Sequence, residues 1–537
     1  MQQKIRETEI KDAFRLYKYI ILHYPSTALL ESLGNRESDV AQYSIIGINA
    51  EKKLFERQHR YFVKSYYQDS EIETDNWQSV LDDWCAKPGK TNTPLQTGVI
   101  GYIGYENLRF FEKINSKIKN ASGFPELCLV KYNFLYIMDH ITGKAYWVYC
   151  GDFEKIIETI EREYNVFIVK SSQRSFYTLG DTEKDFDVQD YLDSVSDCIH
   201  RIRMGDILQA NITMRFHGRF VGQPFELYES LRISTPNPFF AYFDFEDPLI
   251  STSPECFLHI AGGIIDSRPI KGTVRTYVDG KDQKDFLENN KKNCSENLMI
   301  TDLIRNDIGR ICKIGSVEVP VLCGTKKFNQ LYHLETIVKG KLIDGIKFSE
   351  ILRANFPGGS ITGAPKVKAM EIIDELEFTE RGPYCGAIGF FGCEGFVSTS
   401  IGIRLIYFHG DTYYLHAGGG IVVNSDPQNE YEELLLKVEP LIGTLKSFNI
   451  LSEQRETLNE IDSELLVLLG RRMSVVKEVS EIKRDYHIPI EQKDRMNEIF
   501  ERIKRLNKDL GLNLSEQFIV NIYFLILNES MKLEKFD

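Results

Sequence analysis

Cysteine is sparse and unpatterned in this 537-residue sequence: ten residues, no C-x-x-C pair, and none beyond Cys393. That excludes a disulfide framework, argues against a structural zinc site, and leaves a buried free thiol as the expected fate of each. Long apolar runs are missing too. No stretch of about 18 apolar residues could span a bilayer, and the first twenty residues, MQQKIRETEIKDAFRLYKYI, scatter charge where a signal peptide needs an apolar block. The expected location is the cytoplasm. Positive charge is in deficit, with 65 Lys and Arg against 78 Asp and Glu for a net charge of -13. Nucleic acid and anionic membranes demand a concentrated basic patch, so neither is expected as a partner. Local Lys and Arg clusters could still hold a small dianion.

What is present divides unevenly. Residues 1 to about 175 read as short strands and helices, with RYFVKSYY, TGVIGYIGYE and KAYWVYCGDF rich in aromatic and β-branched residues between glycine and charged turns. From 176 to 445 strands and helices recur. VQDYLDSVSDCIHRIRM should form a helix ending at Gly205, followed by strands ILQANITMRF, FFAYFDF, LISTS, CFLHIA and GFVSTSIGIRLIYF. Helices are expected at KKNCSENLMITDLIRNDIGR, KFSEILRAN and APKVKAMEIIDELE. From 446 to 537 the character changes: beyond Leu451 glycine almost disappears, and Leu458, Ile461, Leu465, Leu468, Val479 and Ile482 recur at helical spacing. That predicts one helix of about 35 residues, a break at DYHIPIEQ, and two shorter helices, the last capped at Ser515 or Glu516. Three such helices leave an apolar seam uncovered, so a homodimer through this segment is expected.

Four clusters in the large part carry chemistry. SPECF sets Glu255 after a proline turn, PIKGT sets Lys271 beside Gly272, and SENLMITDLIRND places Glu296 on a helix. AGGGIVVNSDPQNEYEELLLK supplies Gly418, Gly419 and Gly420, then Glu430 and Glu433 on one helical face with Lys437 a turn later. Carboxylates on two separate helices suit Mg²⁺, which takes oxygen ligands and keeps several waters. The glycines suggest either backbone amides offered to an anion or a tight turn. GGSITGAPK lacks the Gly-Lys-Ser/Thr ending of a phosphate loop.

Taken in order, LLES, YSIIG, GYIGYE, GDILQANITMRF, NPFFAYF, SPECF, PIKGT, ENLMITDLIRNDIGR, HLETIVKG, FPGGSITGAPK, CGAIGFF, IGIRL and AGGGIV resemble the chorismate-utilising enzymes over about residues 5 to 445. The resemblance implies an α/β fold with two facing β-sheets and outer helices. It also implies that Glu296 and Glu433, with Glu430 beside them, ligate the Mg²⁺ that holds the ring carboxylate of chorismate. Arg404, Lys437, Tyr384 and Gly418 to Gly420 would hold the second carboxylate, Thr273 and His333 would line the pocket, and Glu255 would be the acid that helps the C4 hydroxyl leave. The family usually has an acidic residue where this chain has Asn293, which implies weaker metal binding.

Two positions separate the members of that family. Isochorismate and salicylate synthases carry a lysine base at the site of Gln209, and an amide cannot activate water. Aminodeoxychorismate synthases typically read PIKGT and anthranilate synthases PIAGT, so Lys271 points to amination at C4 through a lysine adduct. The alternatives are an anthranilate synthase and a lysine that only pairs with a carboxylate. No cysteine sits in a glycine-rich elbow ahead of a His-x-Glu, so ammonia is expected from solution or from a separate glutamine amidotransferase.

Residues 446 to 537 resemble the all-helical chorismate mutases through Arg455 and Asp462, Arg472, Lys483, the stretch from Pro489 to Arg495, and Ser530. By that resemblance Arg455, Arg472, Lys483 and Arg495 clamp the two carboxylates and the ether oxygen, in a site shared across a homodimer. The departures are Gln492, Met496 where the family has the Glu that accepts a hydrogen bond from the C4 hydroxyl, and Glu534 in place of a Gln near the ether oxygen. A methionine cannot replace that acceptor. A substrate bearing an amine at C4 is therefore expected, with ordinary chorismate and a non-catalytic dimerisation module as alternatives.

Overall fold

Runs rich in apolar, aromatic and β-branched residues, buried on both faces over most of their length, give the large part its long antiparallel strands, among them Tyr43–Arg57, Leu127–Asp139 and Gln209–Val221. The computed structural model describes residues 2–33, 40–85, 91–114, 118, 121–167, 175–278, 281–288, 291–328, 331–490 and 493–536. It forms two units, Met1–Ile450 and Leu451–Asp537. The division falls beyond the expected residue 445 because helix Pro427–Lys446 runs through it and Phe448 is buried in the large unit's core. The expected internal boundary near 175 separates nothing. Strand Ala28–Glu31 pairs with Phe239–Phe243, and Gly98–Ile103 pairs with Ala387–Gly392, so early and late chain share one sheet network.

That network is antiparallel in the ladders that hold the site, and helices such as Val188–Met204 and Lys366–Leu376 pack against it. Val188–Met204 starts from an Asp187–Asp190 capping box and stops at Gly205 in the left-handed region (φ 86°), as the sequence predicts. Apolar side chains gather into two large clusters, in which Trp77 and Trp147 are fully buried. One expected strand is broken: GFVSTSIGIRLIYF forms Val397–Ile401 and Leu405–His409, separated where Arg404 takes φ 51°. The backbone tolerates that conformation because the Arg404 carbonyl accepts from Thr252 N–H (3.0 Å) and Thr252 Oγ1 (2.9 Å).

The small unit consists of helices Ser452–Asp485, Lys493–Asp509 and Glu516–Phe536. Ser515 Oγ accepts from Phe518 N–H at 3.2 Å, which identifies it as the cap. Leu458, Ile461, Leu465, Leu468 and Ile482 are exposed along the long helix, as expected of an uncovered seam. All ten cysteines are free, and among the described residues no helix is long and apolar enough to cross a membrane.

Candidate functional site

Strand Gln209–Val221 runs against Thr412–Ile421, pairing Asn211 with Gly420, Ile212 with Gly419 and Thr213 with Gly418. The triple glycine is thus extended strand rather than a turn, and its visible contribution is missing volume. A Cβ on Gly420 would lie 2.3 Å from Gln209 Nε2 and 3.5 Å from Lys271 Nζ; one on Gly419 would lie 3.2 Å from Glu430 Oε2 and 3.6 Å from Lys437 Nζ. Side chains far apart in sequence therefore converge over bare backbone. Lys271 arrives from strand Ile270–Arg275, whose ladder with Leu331–Lys341 shifts register between Lys271 and Thr273. Gly272, at φ 68°, absorbs that irregularity. Thr273 pairs with His333 through the backbone, and its side chain lies outside the described residues.

Glu255 is buried, and its carboxyl accepts from Ser360 Oγ at 2.6 Å. Burial drives its pKa up to about 7, with Ser360 and the charges of Lys271 and Arg404 opposing the rise. Burial also lowers the Lys271 ammonium below its ordinary value; Lys437 adds to this, while Glu296, Glu255 and Glu433 oppose it. His333 falls to about 4 through burial and the facing charges of Arg404 and Lys326, so it is a neutral imidazole at neutral pH. Tyr384 is buried, stacks on His416 with ring centroids 5.0 Å apart, and faces Arg404. Both amide atoms of the fully buried Gln209 lack a hydrogen-bond partner among the described residues, a cost that a polar ligand would relieve.

The expected metal ligands sit on helices Lys291–Gly309 and Pro427–Lys446. Glu433 Oε1 is 2.8 Å from Lys437 Nζ, which also donates to the Gly418 carbonyl at 3.0 Å. Glu430 is buried and accepts from Ser425 Oγ at 2.7 Å. Among the described residues no three His, Cys, Asp or Glu side chains close into a ready cluster. Glu296 and Glu433 nevertheless both act on the Lys271 ammonium. Two carboxylates from separate helices suit Mg²⁺, which needs few protein ligands when waters and an anionic substrate complete its shell. The Asn293 side chain lies outside the described residues.

In the small unit, helices Ser452–Asp485 and Glu516–Phe536 bring four of the expected residues together in two pairs. Arg472 Nη1 donates to Ser530 Oγ at 2.5 Å, and Lys483 Nζ lies 2.8 Å from Glu534 Oε2 and 3.0 Å from the Ile490 carbonyl. Arg495 is exposed and turned to Glu498 at 2.8 Å, while Met496 is half-buried. The Arg455 side chain lies outside the described residues.

Sequence reasoning missed Ser360 and the orphaned amide of Gln209 as packing features, although both positions lie inside the quoted motifs. It also missed Arg381, fully buried, whose guanidinium donates to Glu377 and to the carbonyls of Ile361 and Asn211. This arginine ties the Ser360 loop to the Gln209 strand. Its only signal was a lone arginine before a Gly-Pro, which composition cannot separate from a surface charge.

A buried acid, a half-buried amine beside the triple glycine and carboxylates carried on two separate helices suit a small carboxylated substrate. Comparison with known proteins names the class of enzyme. Residues 32–443 match the family described as chorismate binding enzyme, and residues 454–535 match chorismate mutase type II. The chain belongs to the chorismate-binding family. It is 34% identical over 374 residues to aminodeoxychorismate synthase component 1 of Escherichia coli, covering 69% of this chain and 82% of that one. It is 33% identical over 376 residues to anthranilate synthase component 1 of Aquifex aeolicus, covering 67% and 76%. The crystal structure of anthranilate synthase component I from Streptococcus pneumoniae superposes with a TM-score of 0.67 at 27% identity, over 76% of this chain and 93% of that one. The protein is a chorismate-utilising synthase of the component I type, carrying a chorismate mutase domain.

Proposed function

We propose that the large unit is an aminodeoxychorismate synthase that aminates chorismate at C4. The observation that carries this is Lys271, a half-buried amine with a lowered pKa set beside Gly420, Gln209 and the Glu255 acid. The free amine of Lys271 adds to ring carbon C2 as the C4 hydroxyl departs as water with a proton from Glu255. Ammonia then adds at C4, the C2–N bond to Lys271 breaks, and the Glu255 carboxylate takes the proton shed by the incoming nitrogen. Glu296 and Glu433, with Glu430 beside them, would hold Mg²⁺, which supplies a positive charge for the ring carboxylate. Arg404, Lys437, Tyr384 and the Gly418–Gly420 backbone would hold the other carboxylate, and Thr273 and His333 would line the pocket. Gln209 cannot serve as a base for water, so hydroxyl transfer is disfavoured. Ammonia comes from solution or from a separate glutamine amidotransferase, and the free thiols suit a reducing compartment such as the cytoplasm.

Incubation of the chain with chorismate, Mg²⁺ and ammonium, read by mass spectrometry and chromatography, tests this. Aminodeoxychorismate supports the reading, whereas anthranilate or isochorismate refutes it. A pH profile gives a second check. Turnover needs Glu255 protonated and both Lys271 and ammonia deprotonated, so kcat should fall toward acid pH as the amines take protons and decline toward alkaline pH as Glu255 loses its own. A profile with no alkaline decline at all would remove Glu255 from the role of acid.

The small unit, in this reading, rearranges 4-amino-4-deoxychorismate to 4-amino-4-deoxyprephenate, as a dimer formed through its exposed apolar seam. Arg455, Arg472, Lys483 and Arg495 would surround the substrate's carboxylates and ether oxygen, with Ser530 supporting Arg472 and Glu534 paired to Lys483. Met496 supports the retuned substrate because its thioether, a weak acceptor, cannot replace a carboxylate as the hydrogen-bond acceptor for a C4 hydroxyl. Met496→Glu should raise mutase kcat/KM on chorismate by about 30-fold or more, the worth of one restored hydrogen bond to a charged acceptor. An unchanged rate on chorismate would detach Met496 from C4 recognition.

A further inference from the structure

The segment FPGGSITGAPK holds a hydroxyl that nothing so far has used. Ser360 Oγ donates to Glu255 Oε1 at 2.6 Å, and both side chains are buried. The loop that carries Ser360 is fixed from several directions. Thr362 Oγ1 donates to the Gly358 carbonyl (2.9 Å), Arg381 Nη1 to the Ile361 carbonyl (2.9 Å), and Asn211 N–H to the Thr362 carbonyl (2.8 Å). The two preceding glycines pack without side chains: a Cβ on Gly358 would meet Ile401 Cδ1 at 2.5 Å, and one on Gly359 would meet Leu303 Cδ2 at 2.9 Å. The hydroxyl is therefore delivered by backbone that has little room to shift. The groups facing Glu255 from its other neighbours are Lys271, Arg404 and the Ile270 backbone N–H.

We propose that Ser360 is a positioning residue for the synthase reaction, holding the Glu255 carboxyl in the orientation from which it gives its proton to the C4 hydroxyl and later takes one from the incoming nitrogen. This rests on the reading of Glu255 as the general acid. A carboxyl with one oxygen held by a fixed donor loses its rotational freedom before substrate binds, which is how a neighbour without contact to the reacting atoms can serve the chemical step. The donated bond also favours the carboxylate form, so Ser360 moderates how far burial can raise the acid. A serine that merely satisfied a buried polar group would affect folding without moving the pH at which activity declines.

The test uses the full chain with chorismate, Mg²⁺ and ammonium. Ser360→Ala should lower kcat about 10-fold, leave KM for chorismate within about 2-fold, and move the declining limb of the pH profile to higher pH, because loss of the donor favours the neutral acid. Ser360→Thr, which keeps the hydroxyl, should restore both rate and limb. Ser360→Cys keeps the volume with a weaker donor and should shift the limb in the same direction as alanine, which preserves the test if the alanine chain does not fold. Native rates and an unmoved limb in both the alanine and cysteine chains overturn the proposal, and so does a threonine chain that remains as impaired as alanine. Glu255→Gln serves as the separate control: near-native amination by that chain refutes the general acid itself, whereas an inactive Glu255→Gln chain beside a native-like Ser360→Ala chain refutes only Ser360.

Discussion

Replacing Lys271 by alanine should slow formation of the C4 amine by at least about 10²-fold, the low end of what one catalytic group contributes, with KM for chorismate changed only a few-fold. The expectation follows from position as well as chemistry. Lys271 Nζ stands next to the space left by Gly420, and burial lowers its pKa so that more of the attacking free amine is present near neutral pH. Without that amine C2 is open to ammonia itself, so the residual product should shift toward the C2 amine. Chromatographic separation of the two amines by mass and retention reads both effects. A C4 amine formed at the native rate would show that Lys271 only balances the carboxylates around it, and the adduct route would be abandoned.

Arg472→Ala should reduce the mutase step by about 10²- to 10³-fold, the range for removing one partner of a held charge pair, with amination by the large unit unchanged. Arg472 is set by Ser530 at 2.5 Å, between helices that also join Lys483 to Glu534. A substrate carboxylate placed there would exchange a neutral hydroxyl partner for an ionic one. The measurement is conversion of chorismate and of 4-amino-4-deoxychorismate by the full chain, with circular dichroism to show the helices intact. If the native chain turns over neither compound, the small unit is a dimerisation module and Arg472 has no catalytic part.

Much of this site was legible along the chain because its pieces are local. Glu430, Glu433 and Lys437 share a helix face by their spacing, SPECF presents its acid on a short turn, and PIKGT carries its amine on a strand. The three tail helices, and the capping serine of the last, follow from periodicity and cap chemistry. What could not be read was anything decided by register between distant strands. The triple glycine reads as a turn or an anion loop until Thr412–Ile421 pairs with Gln209–Val221, and then it becomes room for Gln209 and Lys271. Arg404 reads as a strand residue until its left-handed backbone breaks the strand and faces it toward Glu255.

The sequence by itself determined the family and the two-part organisation and named the candidate reactive groups, since these depend on side-chain chemistry and on spacing within single elements. Tertiary structure alone decided which of those groups meet, how burial shifts Glu255, Lys271 and His333, and that Ser360 stands behind the acid. The reason is physical: desolvation and hydrogen-bond geometry are properties of the space between elements, and that space exists only once the strands have paired.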